Sequence, residues 1–384
     1  MGAEKLRTKG NDPTGSILMP NQAGSLNRHG RRTRMLMRRT TFAAFFVTTL
    51  AGGAVAQANL SAETSSPGNS PHVMMTHLAD VLAREGIADI QVQEGQTATN
   101  SIVNVAEGKS DIVTSPTILY FLLENGRGPF SSIGEEAGAE LVQNIRAIAP
   151  YNAGAYGLFA PVSTGIESYE DLAGRTVWNG PPRGAALTLG RQTIQLGSGG
   201  FQEGEDYTGL QTNWGQLPTV LVDGSADAFL VPITFPSDRV ITALSAGDIN
   251  IISFPKDIFE SEAVQRFLSA PGNSPVVIDG DNLGYGEGQG VNLISEDGMF
   301  RAPGLPFATM VRADLPDDLV REMTAAYIAS FEELKARTPY AGNVNFDVVD
   351  QVTTGFCGGL GLKYHPGAVE AWEAAGYDIP DCAE

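Results

Sequence analysis

The stretch EGQTATNSIVNVAEGKSDIVTSP, residues 94–116, sets the fold class of this chain. Residues 96–101 are small, polar and uncharged, and such residues satisfy the first backbone N–H groups of a helix. Residues 102–106 supply an apolar helix face, Gly108 ends the helix, and residues 111–114 form a short buried strand. Open α/β sheets bind small, often anionic ligands where a strand ends beside a helix start. An ordinary βα connection, capped by its own Thr and Asn, is the alternative.

A second strand, loop and helix start of this kind lies at residues 176–196. Gly180 and Gly184 in its loop permit close approach of the backbone, and the helix start favours an anion. The planar fork of Arg183 suits a two-point contact with a carboxylate. A solvated Arg183, or one paired with a surface acid, is the alternative.

Composition points to an exported, acidic protein. The 384 residues are 42% hydrophobic, and this length predicts two domains. The whole chain has a net charge of −19. Residues 59–384 alone are more negative still, because basic residues are concentrated before residue 59. Such a surface repels nucleic acid and anionic lipid, so neither is expected as a partner.

An export signal is predicted within residues 1–58. The basic segment 31–39, the apolar segment 42–55 and small residues before Ala56 and Ala58 predict cleavage near one of these two alanines. The apolar run is shorter than the ~20 residues that a membrane span needs. Residues 1–34 are expected to be a disordered extension. The export route stays open between the general and twin-arginine systems, and the mature protein is expected in the periplasm.

The ordered set of blocks 94–116, 171–177 (DLAGRTV), 227–230 (DAFL) and 364–368 (YHPGA) resembles the TAXI family. These are the extracytoplasmic solute-binding proteins of TRAP transporters. The resemblance implies the α/β fold of type II periplasmic binding proteins, with two lobes, a ligand cleft between them and two crossing strands. Lobe 1 would be residues 59–155 and 301–384, and lobe 2 residues 156–300. It also implies a TRAP membrane permease as partner.

The expected ligand contacts lie in loops on both lobes. They are Ser66, Asn69, Thr97, Thr99, Asn100, Ser101, Ser115 and Tyr151 in lobe 1, and Asn179, Gly180, Arg183, Gly184, Trp214, Pro232 and Phe235 in lobe 2. Two helix starts and one arginine predict a small organic anion, such as a carboxylate or an amino acid. Packing in the core or at the hinge is the alternative for the aromatic residues.

The leading interpretation is therefore a monomeric solute receptor that delivers its ligand to the permease. No nucleophile elbow, phosphate loop or paired metal-ligand motif is recognised, so no catalytic residue, metal or cofactor is predicted. An enzyme on the same two-lobed scaffold, or a ligand-sensing partner of a membrane kinase, is the alternative. Cys357 and Cys382 predict a disulfide in an oxidising compartment, with two unrelated thiols as the alternative.

Some local expectations concern single elements. Residues 145–150 and 157–161 are predicted as strands around the first lobe crossing, and residues 306–312 as the second crossing. Residues 124–137 are expected to form a loop or insertion, and residues 316–336 one amphipathic helix. His77 is expected at the surface or at a cap, and His365 is expected to be a turn residue bonded to backbone.

Overall fold

A mixed β-sheet with helices packed on it forms the centre of the computed structural model. The structure describes residues 57–67, 69–344, 346, 356 and 359–384. All of them belong to one unit, Val55–Glu384. The predicted α/β class is confirmed. The predicted extension and export signal lie outside the described residues except for Gln57 and Ala58.

The strands and helices of the described residues alternate through most of the chain. The strands are β1 (Ala58–Glu63), β2 (Ala88–Gln93), β3 (Ile112–Pro116), β4 (Ile145–Pro161), β5 (Thr176–Gly180), β6 (Thr208–Gln211), β7 (Ala228–Ile233), β8 (Ile249–Ile252), β9 (Pro275–Asp279), β10 (Val291–Ile294) and β11 (Met299–Arg312). The helices are α1 (Ser70–Arg84), α2 (Ala98–Ala106), α3 (Thr117–Glu124), α4 (Glu135–Val142), α5 (Ala185–Gly197), α6 (Leu217–Asp223), α7 (Asp238–Leu244), α8 (Lys256–Phe259), α9 (Glu262–Leu268), α10 (Asp317–Ala329), α11 (Phe331–Ala336) and α12 (Pro366–Ala374). Among the described residues, no helix combines the length and apolar character needed to cross a bilayer.

Two long strands join two groups of parallel strands. The order across the sheet is β2-β1-β3-β11-β4-β7-β5-β6. β1 pairs in parallel with β2 and β3, and β5 pairs in parallel with β6 and β7. Between these groups β4 and β11 run antiparallel to each other and to their neighbours β7 and β3. β8, β9 and β10 pair at the side of this path.

The buried apolar side chains form separate clusters on either side of the long strands. One cluster takes its buried members from residues 60–153 and 308–383. The other two take theirs from residues 155–302 and share no buried member with the first. The chain therefore passes from one core to another between Ala153 and Ala155 on β4, and between Ala302 and Ala308 on β11.

Two local predictions were wrong for identifiable reasons, and a third differs only at its end. β4 is one strand of 17 residues, because its central part keeps pairing with β11 and β7. The predicted loop 124–137 is a loop with one short 3-10 turn up to α4, which covers only its last three residues; Gly138 lets α4 pack against the carbonyl of Leu123. The predicted helix 316–336 is divided into α10 and α11 at Ser330, where the backbone leaves the helical region at φ −103° and ψ 10°.

Candidate functional site

The carboxyl ends of β3 and β7 approach each other along the crossing strands. Pro116 ends β3 and pairs with Phe307, which in turn pairs with Tyr151 of β4. Ile233 ends β7 and pairs with Ala155 of β4. The two ends are offset along β4 by four residues, roughly 13 Å, and β11 and β4 lie between them across the sheet. We call residues 151–155 of β4 and 304–307 of β11 the junction. Ligands of α/β sheets bind at such strand ends.

Arg239 lies beside the junction with an unusual set of partners. Its Nη1 donates to the carbonyl of Pro232, which pairs with Tyr156 just past the junction. Its guanidinium carbon lies 5.1 Å from the ring centroid of Trp214. Among the described residues, no carboxylate lies within 4.0 Å of this guanidinium. Desolvation lowers the pKa of Arg239 to about 10, so the side chain keeps its charge at neutral pH.

Two buried hydroxyl groups belong to tyrosines of the core of residues 60–153 and 308–383, and one of these tyrosines, Tyr151, is part of the junction itself. The hydroxyls of Tyr151 and Tyr340 are buried, and within the described part of the chain no hydrogen bond of normal geometry reaches either, although the side chains of Ser70 and Thr338 lie close enough to interact with them. Burial raises the pKa of Tyr151 well above its ordinary value; Ser70 opposes this shift and Tyr340 adds to it. Burial also raises the pKa of Tyr340 to about 12, and the charge of Asp238 adds to that rise. Tyr340 therefore lies within electrostatic reach of both Tyr151 and the residue that precedes Arg239.

Other contacts connect the two sides of the junction directly. The side-chain amide of Asn152 donates to Ser274 Oγ at 3.1 Å. A Cβ added to Gly272 would lie 2.4 Å from Ile118 Cα, so the 270–274 loop packs tightly on α3. Ala185, at the start of α5, packs against the core of residues 60–153 and 308–383. The two sides are thus in contact around the strand ends.

Most of the predicted contacts Ser66, Asn69, Ser115 and Tyr151 interact with other residues of the protein. Asn69 caps α1 by accepting from the His72 N–H at 3.2 Å, while Ser66 is exposed. Ser115 is fully buried and its hydroxyl bonds to the next carbonyl. Tyr151 stacks on Phe307 with ring centroids 5.7 Å apart. Of this group, Tyr151 keeps an unsatisfied polar group at the junction.

The predicted polar loop before α2 keeps three side chains available. Thr97 occupies the N-cap position without a side-chain cap bond. Thr99 and Asn100 also make no side-chain hydrogen bond to the described residues, and Asn100 is exposed. Ser101 is buried and donates to the carbonyl of Thr97 at 3.3 Å.

The loop after β5 holds its residues in different ways. The Asn179 amide is fully buried, donates to Glu203 at 2.7 Å and accepts from Gln211 at 2.8 Å. This amide is therefore used to hold β5, β6 and the 203 loop together. Gly180, at φ +141°, lets β5 approach α5 closely, and Gly184 precedes α5 at φ +103°. Arg183 is exposed and forms neither an ion pair nor a hydrogen bond with the described residues.

Of the three remaining predicted contacts, Trp214 and Pro232 lie beside Arg239, and Phe235 lies in the core. Phe235 is buried and packs edge-on against Phe300 with ring centroids 4.8 Å apart. Trp214 is 39% exposed and contacts both Arg239 and the buried Trp178. Pro232 contributes its carbonyl to Arg239. Trp214 and Pro232 are thus beside the same charged group, whereas Phe235 belongs to the core.

Sequence reasoning missed Arg239 and Tyr340. Arg239 lies at the start of α7, after β7 and a short loop. This is the same order of strand, loop and helix that predicted ligand contacts at 94–116 and 176–196, so the pattern could have identified Arg239 as well. Tyr340 follows α11 and carries no comparable signal. The predicted disulfide partner Cys357 lies outside the described residues, so its pairing with Cys382 stays a prediction.

Two surface grooves lie away from the junction. One of about 510 Å³ is bordered by α1, α10 and Glu333, and one of about 500 Å³ by Glu107 and α4. Neither is lined by a predicted contact, so Thr99 and Arg183 share neither groove. Among the described residues, no three His, Cys, Asp or Glu side chains cluster in a way that would hold a metal ion.

A family model supplies the sequence comparison. The model of the NMT1-like family matches residues 63–376. A search of curated protein sequences finds no match to this chain.

Solved structures of solute-binding proteins overlap with the chain loosely. A TRAP periplasmic solute-binding protein from Rhodobacter sphaeroides is 13% identical, with coverage of 83% of this chain and 90% of that chain and a TM-score of 0.41. One from Ralstonia eutropha H16, with bound (S)-2-acetolactate, is 12% identical, with coverage of 85% and 87% and a TM-score of 0.41. The ectoine-binding protein from Halomonas elongata is 13% identical, with coverage of 83% and 90% and a TM-score of 0.40.

Proposed function

We propose, from the premise that this chain belongs to the NMT1-like family, that it is an exported solute receptor of a TAXI-type TRAP transporter. It captures a small organic anion in the periplasm and delivers it to a membrane permease. The resemblance of blocks 94–116, 171–177, 227–230 and 364–368 to TAXI sequences supports the transporter type. The acidic composition and the predicted export signal support the compartment.

The observation that carries the proposal is the meeting of two strand ends between separate cores. β3 and β7 end facing each other along the junction, offset by roughly 13 Å along β4 and separated across the sheet by β11 and β4. The polar groups beside these ends include a desolvated guanidinium and two unsatisfied tyrosine hydroxyls. A solute that accepts hydrogen bonds and carries negative charge would satisfy these groups together.

The proposed mechanism is closure of two lobes over the solute. Residues 59–155 with 301–384 form one lobe, and residues 156–300 form the other. The separation of the core clusters at residues 153–155 and 302–308 supports this division. Each lobe moves as a unit because its apolar side chains pack mainly within it, and β4 and β11 bend between them. The closed surface is then what the permease recognises.

Ligand identification tests this function. The protein is purified from the periplasm of expressing cells, and small molecules released on denaturation are identified by mass spectrometry. Titration calorimetry then follows with small monocarboxylates, dicarboxylates, amino acids and the matching amides. We expect one anionic solute to bind one site with a Kd of about 1 μM or tighter.

Two outcomes would contradict the receptor. One is the absence of any co-purified solute together with no binding by the panel at about 1 mM, a level at which even weak specific sites fill. The other is chemical conversion of the bound solute during prolonged incubation, which would favour the enzyme alternative.

A further inference from the structure

Arg239 differs from most arginines of the described chain in lacking a carboxylate partner. Arg191, Arg301 and Arg312, for example, each contact an acidic side chain at 3.0 Å or less. Asp238, the adjacent acid, acts on Arg239 only as a nearby charge. The aromatic face of Trp214 and one backbone carbonyl are the groups that contact the guanidinium.

This arrangement leaves the guanidinium incompletely satisfied. A guanidinium stays protonated at physiological pH and presents several N–H donors in a planar fork. In the described part of the chain, one of these groups donates to Pro232 and the others have no acceptor. Removing such a charge from water is unfavourable unless an anion or several acceptors replace the water. A bound anion would supply both the charge and the acceptors.

Two tyrosine hydroxyls from the core of residues 60–153 and 308–383 suit the same anion. Tyr151 and Tyr340 present hydroxyls that are buried and that no hydrogen bond of normal geometry reaches in the described structure. A tyrosine hydroxyl donates to a carboxylate oxygen without adding charge. Asp238 connects the two sides, because it precedes Arg239 in the chain and lies within electrostatic reach of Tyr340.

We propose that Arg239 binds the carboxylate of the solute, while Tyr151 and Tyr340 donate to it from the core of residues 60–153 and 308–383. This inference rests on the proposed receptor function and names its specificity-determining residue. Trp214 holds the guanidinium flat by stacking, which fixes the fork for a two-point contact. Arg183, which is exposed, is not the residue that recognises the anion.

The test combines a substitution with a change in the solute. Calorimetry measures the Kd of wild type and Arg239→Gln for the tightest-binding carboxylate and for its primary amide, which has the same shape without the charge. We expect Arg239→Gln to weaken carboxylate binding by at least about 30-fold and amide binding by no more than about 3-fold. Wild type therefore discriminates between the two solutes and the variant does not.

The controls separate this inference from protein folding and from the receptor function. Arg266→Gln removes an exposed charge whose partner is Glu262, and it should leave both Kd values unchanged. Should Arg239→Gln fail to fold, Arg239→Lys keeps the charge but loses the fork, and we expect about 10-fold weaker carboxylate binding. Carboxylate binding within about 3-fold of wild type in whichever of these variants folds would overturn the role of Arg239 while leaving the receptor intact. Absence of solute binding by wild type would overturn the receptor itself.

Discussion

Gly154 shows how a single residue allows the strand ends to meet. It lies in the junction at φ +122°, a region that side chains other than glycine rarely adopt. A Cβ there would lie 2.2 Å from the carbonyl oxygen of Ile233, the residue that ends β7. The absence of a side chain is therefore what lets β7 end directly against β4.

Gly154→Ala should destabilise the fold by about 3 kcal/mol, because it adds a backbone clash to the cost of the positive φ. Chemical denaturation measures the loss. The matched control is Gly165→Ala, at φ +71° with open space around the added Cβ, which should cost about 1 kcal/mol. Equal losses in the two variants would show that the contact with Ile233 does not constrain the junction.

At the level of elements, His77 connects α1 with α10 and α11. It was expected at the surface or at a cap, but its side chain is fully buried. Ser330 donates to the carbonyl of Tyr327 at 2.7 Å, so His77 Nε2 donates to Ser330 Oγ at 2.8 Å. His77 Nδ1 then accepts from Arg337 at 3.3 Å. Acceptance at Nδ1 requires a neutral imidazole, and both contacts lie where the predicted single helix is divided.

This contact makes stability depend on pH in a defined window. Burial, followed by the charge of Arg337, lowers the pKa of His77 from 6.5 to about 4. Between these values the unfolded chain binds the proton more tightly, so the free energy of unfolding falls as pH falls from 6.5 towards 4. Between pH 7 and pH 5 the contribution of His77 should fall by about 2 kcal/mol.

Urea denaturation of wild type and His77→Gln at both pH values tests this dependence. The variant lacks the titrating group, so the stability difference between the two proteins should shrink by about 2 kcal/mol at pH 5. Parallel pH dependences would mean that His77 is not neutral and buried in the folded protein.

For the whole molecule, the separation of the cores predicts a change of shape on binding. The apolar clusters divide at the two long strands, and the polar groups of the site come from both sides. A solute that contacts both sides favours the closed arrangement over an open one.

X-ray scattering should therefore show a smaller radius of gyration when the identified solute is added at saturating concentration. The solute is added at about ten times the wild-type Kd, which fills about 90% of wild type but only about 25% of Arg239→Gln if that variant binds about 30-fold more weakly, so the variant serves as the control. An unchanged radius of gyration in wild type at proven saturation would contradict closure of the lobes.

Much of the local structure could be predicted from the sequence, because short-range signals set it. The helix that follows the 179–184 loop, the buried strands at 111–114 and 176–178 and the turn glycines follow from periodicity and backbone freedom. His365 was expected to be a turn residue bonded to backbone, and it caps α12 by accepting from the Gly367 N–H at 3.3 Å. The α/β class follows from the order of these elements.

The composition of the site depended on contacts between distant parts of the chain. Asn179 and Arg183 have the same polar appearance in sequence, yet one amide is used inside the fold and the other side chain is exposed. Arg239 contacts the ring of Trp214, and Asp238 lies within electrostatic reach of Tyr340, although these residues are far apart in the chain. The sequence shows which residues are polar. Which of them become buried, and which partners they bind, is decided only when the strands pair and the cores pack.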